Sequence, residues 1–115
     1  FTGFMKGQQV YEVFKASDVY VMPSVSEPFG ISPLEAMQCG VPSIISYQSG
    51  CAEILDYAIK VDYWDIDAMA DAIYALITYP EMHAFLKEEG LREVNSITWE
   101  AAGRKVRAIY DRYVR

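Results

Sequence analysis

Apolar positions along this chain recur in two alternating rhythms. From Gln8 to Ala16, Val10, Tyr11 and Phe14 stand at the spacing of one helix face. Asp18 then leads into Val19-Tyr20-Val21-Met22, a continuous β-prone run stopped by Pro23, which predicts a buried strand. A polar loop, Ser24 to Gly30, follows. The next helix is predicted from Ile31 to Cys39, closed by Gly40 and barred from continuing by Val41-Pro42. Ser43-Ile44-Ile45-Ser46 reads as a second buried strand. Gly50 marks a tight turn into a short helix near Cys51 to Leu55, and Ala58-Ile59-Lys60-Val61 is a weaker third strand.

Beyond it the helical period takes over. Asp65 is placed to cap a helix whose positive end Asp67 favours, and Met69, Ala72, Ile73, Leu76 and Ile77 form an apolar stripe that should pack on the sheet. Pro80 suits the first position of a further helix running to about Val94 despite Gly90. Thr98 is a candidate cap for the last one, where Trp99, Ala102, Val106, Ile109, Tyr110 and Tyr113 recur at three- and four-residue spacing and are expected in the core. Strands separated by helices imply crossovers and a parallel sheet. The fold class is therefore α/β, a partial Rossmann-like doubly wound parallel sheet of three to four strands flanked by helices. Phe1 to Phe4 is the candidate fourth strand. A complete nucleotide-binding sheet has about five or six strands, so residues 1–115 read as one partial domain, incomplete at its N-terminus.

Composition narrows the function classes. With 52% hydrophobic and 23% charged residues in 115, this is the make-up of a soluble globular domain. There is no apolar run of the roughly 20 residues that a membrane span needs, and no leader at Phe1-Thr2-Gly3-Phe4, so the expected location is the cytoplasm, with the inner face of the membrane as a variant for a parent enzyme. A net charge of -6 argues against a nucleic-acid partner. Arg104, Lys105, Arg107, Arg112 and Arg115 alternate with apolar positions as the solvated face of the last helix, a basic docking surface being the lesser alternative. Cys39 and Cys51 have no metal-ligand spacing and read as reduced structural thiols. His83 is the one histidine and lies in a predicted helix, so neither a His-based metal site nor a Ser-His-Asp triad is indicated.

Candidate chemistry concentrates at one place. In an open α/β sheet, ligands bind beyond the carboxyl ends of the strands, where loops enter helices whose first amides are unpaired and partly positive. Pro23 to Ser32 is such a loop, and Gly30 would let a ligand approach the backbone. The free amides around Gly30, Ile31 and Ser32 suit a diphosphate. Glu27 would lie in the loop and Glu35 one turn into the helix. Carboxylates beside an anion site make sense if the ligand also carries hydroxyl groups, as a sugar nucleotide does. On spacing alone, Glu27 as a solvated loop residue and Glu35 as a complement to the helix dipole stand equally open. A glycoside hydrolase reading, with the two glutamates as acid and nucleophile, conflicts with the anion-binding helix start.

The run Ser26-Glu27-Pro28-Phe29-Gly30-Ile31-Ser32-Pro33-Leu34-Glu35-Ala36-Met37-Gln38-Cys39-Gly40-Val41-Pro42 is similar to the E-x7-E signature of retaining glycosyltransferases with two Rossmann-like domains (GT-B), best matched by glycosyltransferase family 4 (group 1 glycosyl transferases). Ala16-Ser17-Asp18-Val19-Tyr20-Val21-Met22-Pro23-Ser24, Ser49-Gly50-Cys51-Ala52-Glu53-Ile54 and Thr98-Trp99-Glu100 also resemble that family, strongly over residues 1–55 and loosely beyond. The resemblance implies a chain from the C-terminal half of a GT-B enzyme's donor domain. It implies that Glu27 touches the donor hexose as the catalytic carboxylate and that the amides of Phe29, Gly30 and Ile31 lie near the sugar and diphosphate. Ser32 to Leu34 would line the phosphate and ribose side, and Glu35 would hold the ribose. Transfer to a saccharide or lipid-linked acceptor would retain anomeric configuration, without a metal or other cofactor, and the acceptor would bind through an N-terminal domain missing from this chain.

Departures from the family pattern are visible. Two glycines and a proline usual before the glutamate of the next loop are replaced by Ser49, Gly50, Cys51 and Ala52 before Glu53, and the glycine-bearing turn after it by Asp56-Tyr57-Ala58, read as a shortened surface loop. The family's upstream Arg and Lys pair has no counterpart here. On this reading the isolated chain is an inactive part of a hexosyltransferase. The alternative is a non-catalytic α/β interaction module, whose exposed sheet edge would invite a partner or a homodimer.

Overall fold

The computed structural model describes residues 1–114. Helix α1 (Gln8–Lys15) leads into strand β1 (Tyr20–Met22), then α2 (Ile31–Gln38), β2 (Ser43–Ser46), a single 3-10 turn (Gly50–Glu53), β3 (Ile59–Val61), α3 (Ile66–Thr78), α4 (Pro80–Ser96) and α5 (Trp99–Tyr113). The three strands form one sheet in the order β1-β2-β3, all parallel. Tyr20 pairs with Ser43 and Met22 with Ile45, while Ile44 pairs with Ile59 and Ser46 with Val61. Every strand therefore ends at the same edge, and the loops that leave β1, β2 and β3 emerge side by side.

Alternation along the strands divides the core in two. Ile45 and Met22 face α2, the 3-10 turn and α4, where Met37, Cys51, Ala52, Leu55, Ala58 and Val94 are buried. Ile44 and Val61 face the other way, onto Leu76 of α3, with Met69, Ala72 and Ile73 packed around them. All four residues of β2 are buried, as befits a central parallel strand covered on both faces. Each fully buried Ile contributes on the order of 1.5–3 kcal/mol by leaving water. Gly90 sits inside α4 because a Cβ there would come within 3.0 Å of Met37 Cε on α2.

Local signals end the helices as the sequence suggests. Asp65 accepts the Ala68 amide at 3.0 Å and caps α3, Thr98 accepts the Ala101 amide at 3.1 Å and caps α5, and Pro80 opens α4. Four expectations need correction. Phe1 to Phe4 forms no strand, and both phenylalanines are exposed. The short helix expected at Cys51 to Leu55 is the 3-10 turn, one residue earlier and less regular. Ile77 lies at the edge of the α3 stripe and faces solvent. Asp56-Tyr57-Ala58 forms a bend outside any helix or strand, with Asp56 exposed, and is pinned to α4: the Glu93 carboxylate accepts the amides of Asp56 and Tyr57 at 2.7 and 3.1 Å. The aromatic stripe of α5 is not core. No residue of α5 is buried, Trp99 is 90% exposed, and Val106, Ile109, Tyr110 and Tyr113 stay open. Periodicity reports that a helix face is apolar, not that this chain holds a partner for it. Arg115, expected on the basic face of this helix, lies outside the described residues. No described helix is long and apolar enough to cross a membrane.

Candidate functional site

The Glu27 loop is built by its neighbour. Beyond the sheet edge, Glu27 forms an isolated parallel bridge with Ser49, so the pairing of β1 and β2 is briefly resumed past the end of β1. The Glu27 amide donates to the Gln48 carbonyl at 3.4 Å, the Gly50 amide donates to the Glu27 carbonyl at 2.9 Å, and the Cys51 amide donates to the Phe29 carbonyl at 2.7 Å. The two loops are thus clamped along their backbones. Gly50 makes this possible, because a Cβ on it would overlap the Pro28 carbonyl. The departure at Ser49-Gly50-Cys51 from the family pattern therefore keeps the one glycine that the close approach requires.

Gly30 turns the chain into α2 with φ of 92°, a conformation that favours glycine. A Cβ at this point would stand 2.8 Å from Met22 Cε and 3.3 Å from both Glu27 Cγ and Cys51 Sγ. The glutamate side chain therefore lies against the start of the helix. No side chain caps α2 and no acidic residue occupies its first turn. Among the described residues, the amides of Phe29, Gly30, Ile31 and Ser32 have no backbone or side-chain acceptor, and Pro33 supplies no amide. From Ala16 to Ile59 the chain has no Lys or Arg. Within this segment, only backbone dipoles are on offer to an anion.

The structure also brings in a residue that the sequence reading passed over. Tyr20 and Met22 point to the α2 face of the sheet by strand alternation, and the Tyr20 ring packs edge-on against Phe14 of α1 at 5.7 Å. Burial pushes its phenol above the ordinary value of 10.0. A hydrogen bond with Ser32 partly opposes the rise, and the charges of Cys51, Glu35 and Glu27 add to it. Glu27 and Glu35 thus both lie within electrostatic reach of this one phenol, near the start of α2. The signal was available: an alternating Tyr two residues before Met22 must face the same helix as Met22.

The side chains of Phe29, Ile31 and Leu34 part from this polar group. They line an apolar groove of about 630 Å³ with Ile54, Ile97 and Trp99, between the start of α2 and the start of α5. A smaller hollow of about 370 Å³ lies at the amino end of β1, where a ring nitrogen of His83 meets the Asp18 carbonyl at 2.8 Å. That contact accounts for His83 as a structural residue. Both cysteines are free thiols, Cys51 buried and Cys39 partly so. Among the described residues no three His, Cys, Asp or Glu side chains gather as a metal site.

Known proteins are similar to this chain in sequence and in fold. The sequence profile of the glycosyl transferases group 1 matches residues 1–93. An uncharacterized glycosyltransferase of Methanocaldococcus jannaschii is 44% identical over 60 residues, 52% of this chain and 15% of that protein. The D-inositol 3-phosphate glycosyltransferase of Saccharomonospora viridis is 30% identical over 93% of this chain and 25% of its own length. Among solved structures, a sucrose-phosphate synthase from Thermosynechococcus elongatus superposes with a TM-score of 0.81 at 29% identity, covering 97% of this chain and 29% of that one. The C-terminal domain of a group 1 glycosyl transferase from Francisella tularensis shares the fold, with a TM-score of 0.75 at 24% identity over 84% of this chain and 51% of that one. The chain spans about a quarter or less of the length of these curated relatives. It carries the profile over most of its residues, the fold of these enzymes and the clamped glutamate loop, and it belongs to the group 1 glycosyl transferases.

Proposed function

We propose that this chain is the donor-binding part of a retaining hexosyltransferase that moves a hexose from a nucleoside-diphosphate sugar to a saccharide or lipid-linked acceptor. The observation that carries the reading is the clamp: backbone bonds from Gly50 and Cys51 hold the Glu27 loop against the loop that leaves β2, so that Glu27 and the free amides opening α2 stand together at the carboxyl edge of the sheet. Each half of a sugar nucleotide then meets a complementary group. Glu27 accepts hydroxyl protons of the donor hexose and orients its anomeric carbon, and Glu35 accepts from the ribose hydroxyls. The amides of Phe29, Gly30, Ile31 and Ser32 face the diphosphate, and the backbone as far as Leu34 lines the ribose side. As the glycosidic bond breaks, negative charge grows on the leaving diphosphate, and preorganised amides stabilise that charge without reorganising. No step in this scheme calls for a metal ion.

The fold shared with the C-terminal domain of the Francisella tularensis group 1 glycosyl transferase is in keeping with a place in the C-terminal half of the parent protein. Acceptor binding and closure of the cleft then fall to other parts of the parent protein, and the isolated chain is inactive. Calorimetric titration of the chain with UDP, GDP, ADP and UDP-glucose tests the reading. Saturable binding of one nucleotide, weakened at least about tenfold by Glu35→Ala, is the expected result. Binding that is indifferent to Glu35→Ala, or no binding by a folded chain, would sink it.

A further inference from the structure

Gln48 makes three connections at once. Its carbonyl accepts the Glu27 amide at 3.4 Å, its side-chain Oε1 accepts the Tyr63 amide at 3.1 Å, and its Nε2 donates to Asp62 Oδ1 at 3.0 Å. One residue therefore straps the Glu27 loop to the segment that leaves β3. That segment presents two aromatic rings at the same carboxyl edge of the sheet as Glu27. Tyr63 and Trp64 meet edge to face, with centroids 5.0 Å apart and planes at 85°. Trp64 is 62% exposed and Tyr63 is 37% exposed, so the pair is uncovered.

The surroundings select among occupants. Asp62, Asp65 and Asp67 flank the pair, and Lys60 on β3 is the sole nearby cation in the sequence. Asp65 is already engaged by the Ala68 amide, while Asp62 takes only the Gln48 amide among the described residues. An anionic ligand would meet like charge here. A neutral pyranose would not: its axial C–H groups suit the electron-rich ring face, and its hydroxyls can donate to a carboxylate at the ring's edge.

We propose that Tyr63 and Trp64, strapped to the Glu27 loop by Gln48, form a stacking site for a neutral sugar ring at the carboxyl edge of the sheet, with Asp62 accepting from its hydroxyls. The chain's two tryptophans make the test clean, because Trp99→Phe leaves Trp64 as the only indole. Maltose, cellobiose and methyl mannoside titrated into that variant should change Trp64 emission saturably, with a Kd on the order of millimolar for at least one sugar. Adding Gln48→Ala should weaken the response at least about threefold although Trp64 is still present. An emission change driven equally by tetramethylammonium chloride would mark a cation site and overturn the proposal. So would a linear response to every sugar, or one unmoved by Gln48→Ala. Calorimetry with nucleotides on the unsubstituted chain separates the two readings: nucleotide binding without a sugar response removes this site alone, and a sugar response without nucleotide binding removes the donor reading alone.

Discussion

Tyr20 is held protonated by its surroundings, and this has a measurable sign. Its folded pKa is raised above 10.0, first by burial and then, against the Ser32 hydrogen bond, by the charges of Cys51, Glu35 and Glu27. As pH rises from about 10, the unfolded chain releases this proton before the folded one does. The associated stability is intact below that pH and is lost as pH climbs toward the folded value. Phenolate absorbance should show one of the nine tyrosines titrating late, and Tyr20→Phe should remove that phase and flatten the alkaline fall in stability. A late phase that survives Tyr20→Phe would assign the buried phenol elsewhere. Gly50 is the other residue on which the site turns. Gly50→Ala must push the Pro28 carbonyl away and open the clamp, so Tm should drop by roughly 10 °C. An unchanged Tm would mean that the two loops are not in contact.

The caps of α3 and α5 separate local from global stability. Asp65 and Thr98 each accept one amide in the first turn of their helix, and a lost cap costs about 1 kcal/mol. The consequences differ because α3 places Leu76 in the core and α5 buries nothing. Asp65→Ala should lower the chain's denaturation midpoint. Thr98→Ala should fray α5, seen as lost helical circular dichroism, with the midpoint nearly unmoved. Equal shifts in midpoint would show that α5 is packed on the body after all. The legible and illegible elements divide along the same line. β2 was plain from four consecutive residues bounded by Pro42 and the polar Tyr47-Gln48-Ser49, and each cap was plain from its residue type and the helix rhythm that follows. The fate of the α5 stripe was not, because Trp99, Ile109 and Tyr113 declare an apolar face whether or not this chain covers it. The clamp between Glu27 and Gly50 was also hidden, since it joins loops that are distant in sequence and made only of backbone groups.

At the scale of the molecule, the layout explains why the E-x7-E run was readable so early. A parallel sheet delivers its loops to one edge, so chemistry written after β1 must meet whatever follows β2 and β3. Glu27 and Glu35 could therefore be assigned to one edge of the sheet from their elements, while Tyr20, Gln48 and Trp64 emerged only when the neighbouring strands were in place. Amide-resolved NMR of the chain, with UDP, GDP and ADP added in turn, tests whether this edge binds a nucleotide through the amides at the start of α2. The largest saturable shifts should fall on Phe29, Gly30, Ile31 and Ser32, with the amides opening α3 and α5 quiet. Shifts centred on the Asp18 and His83 hollow, or spread evenly over the three helix starts, would contradict it.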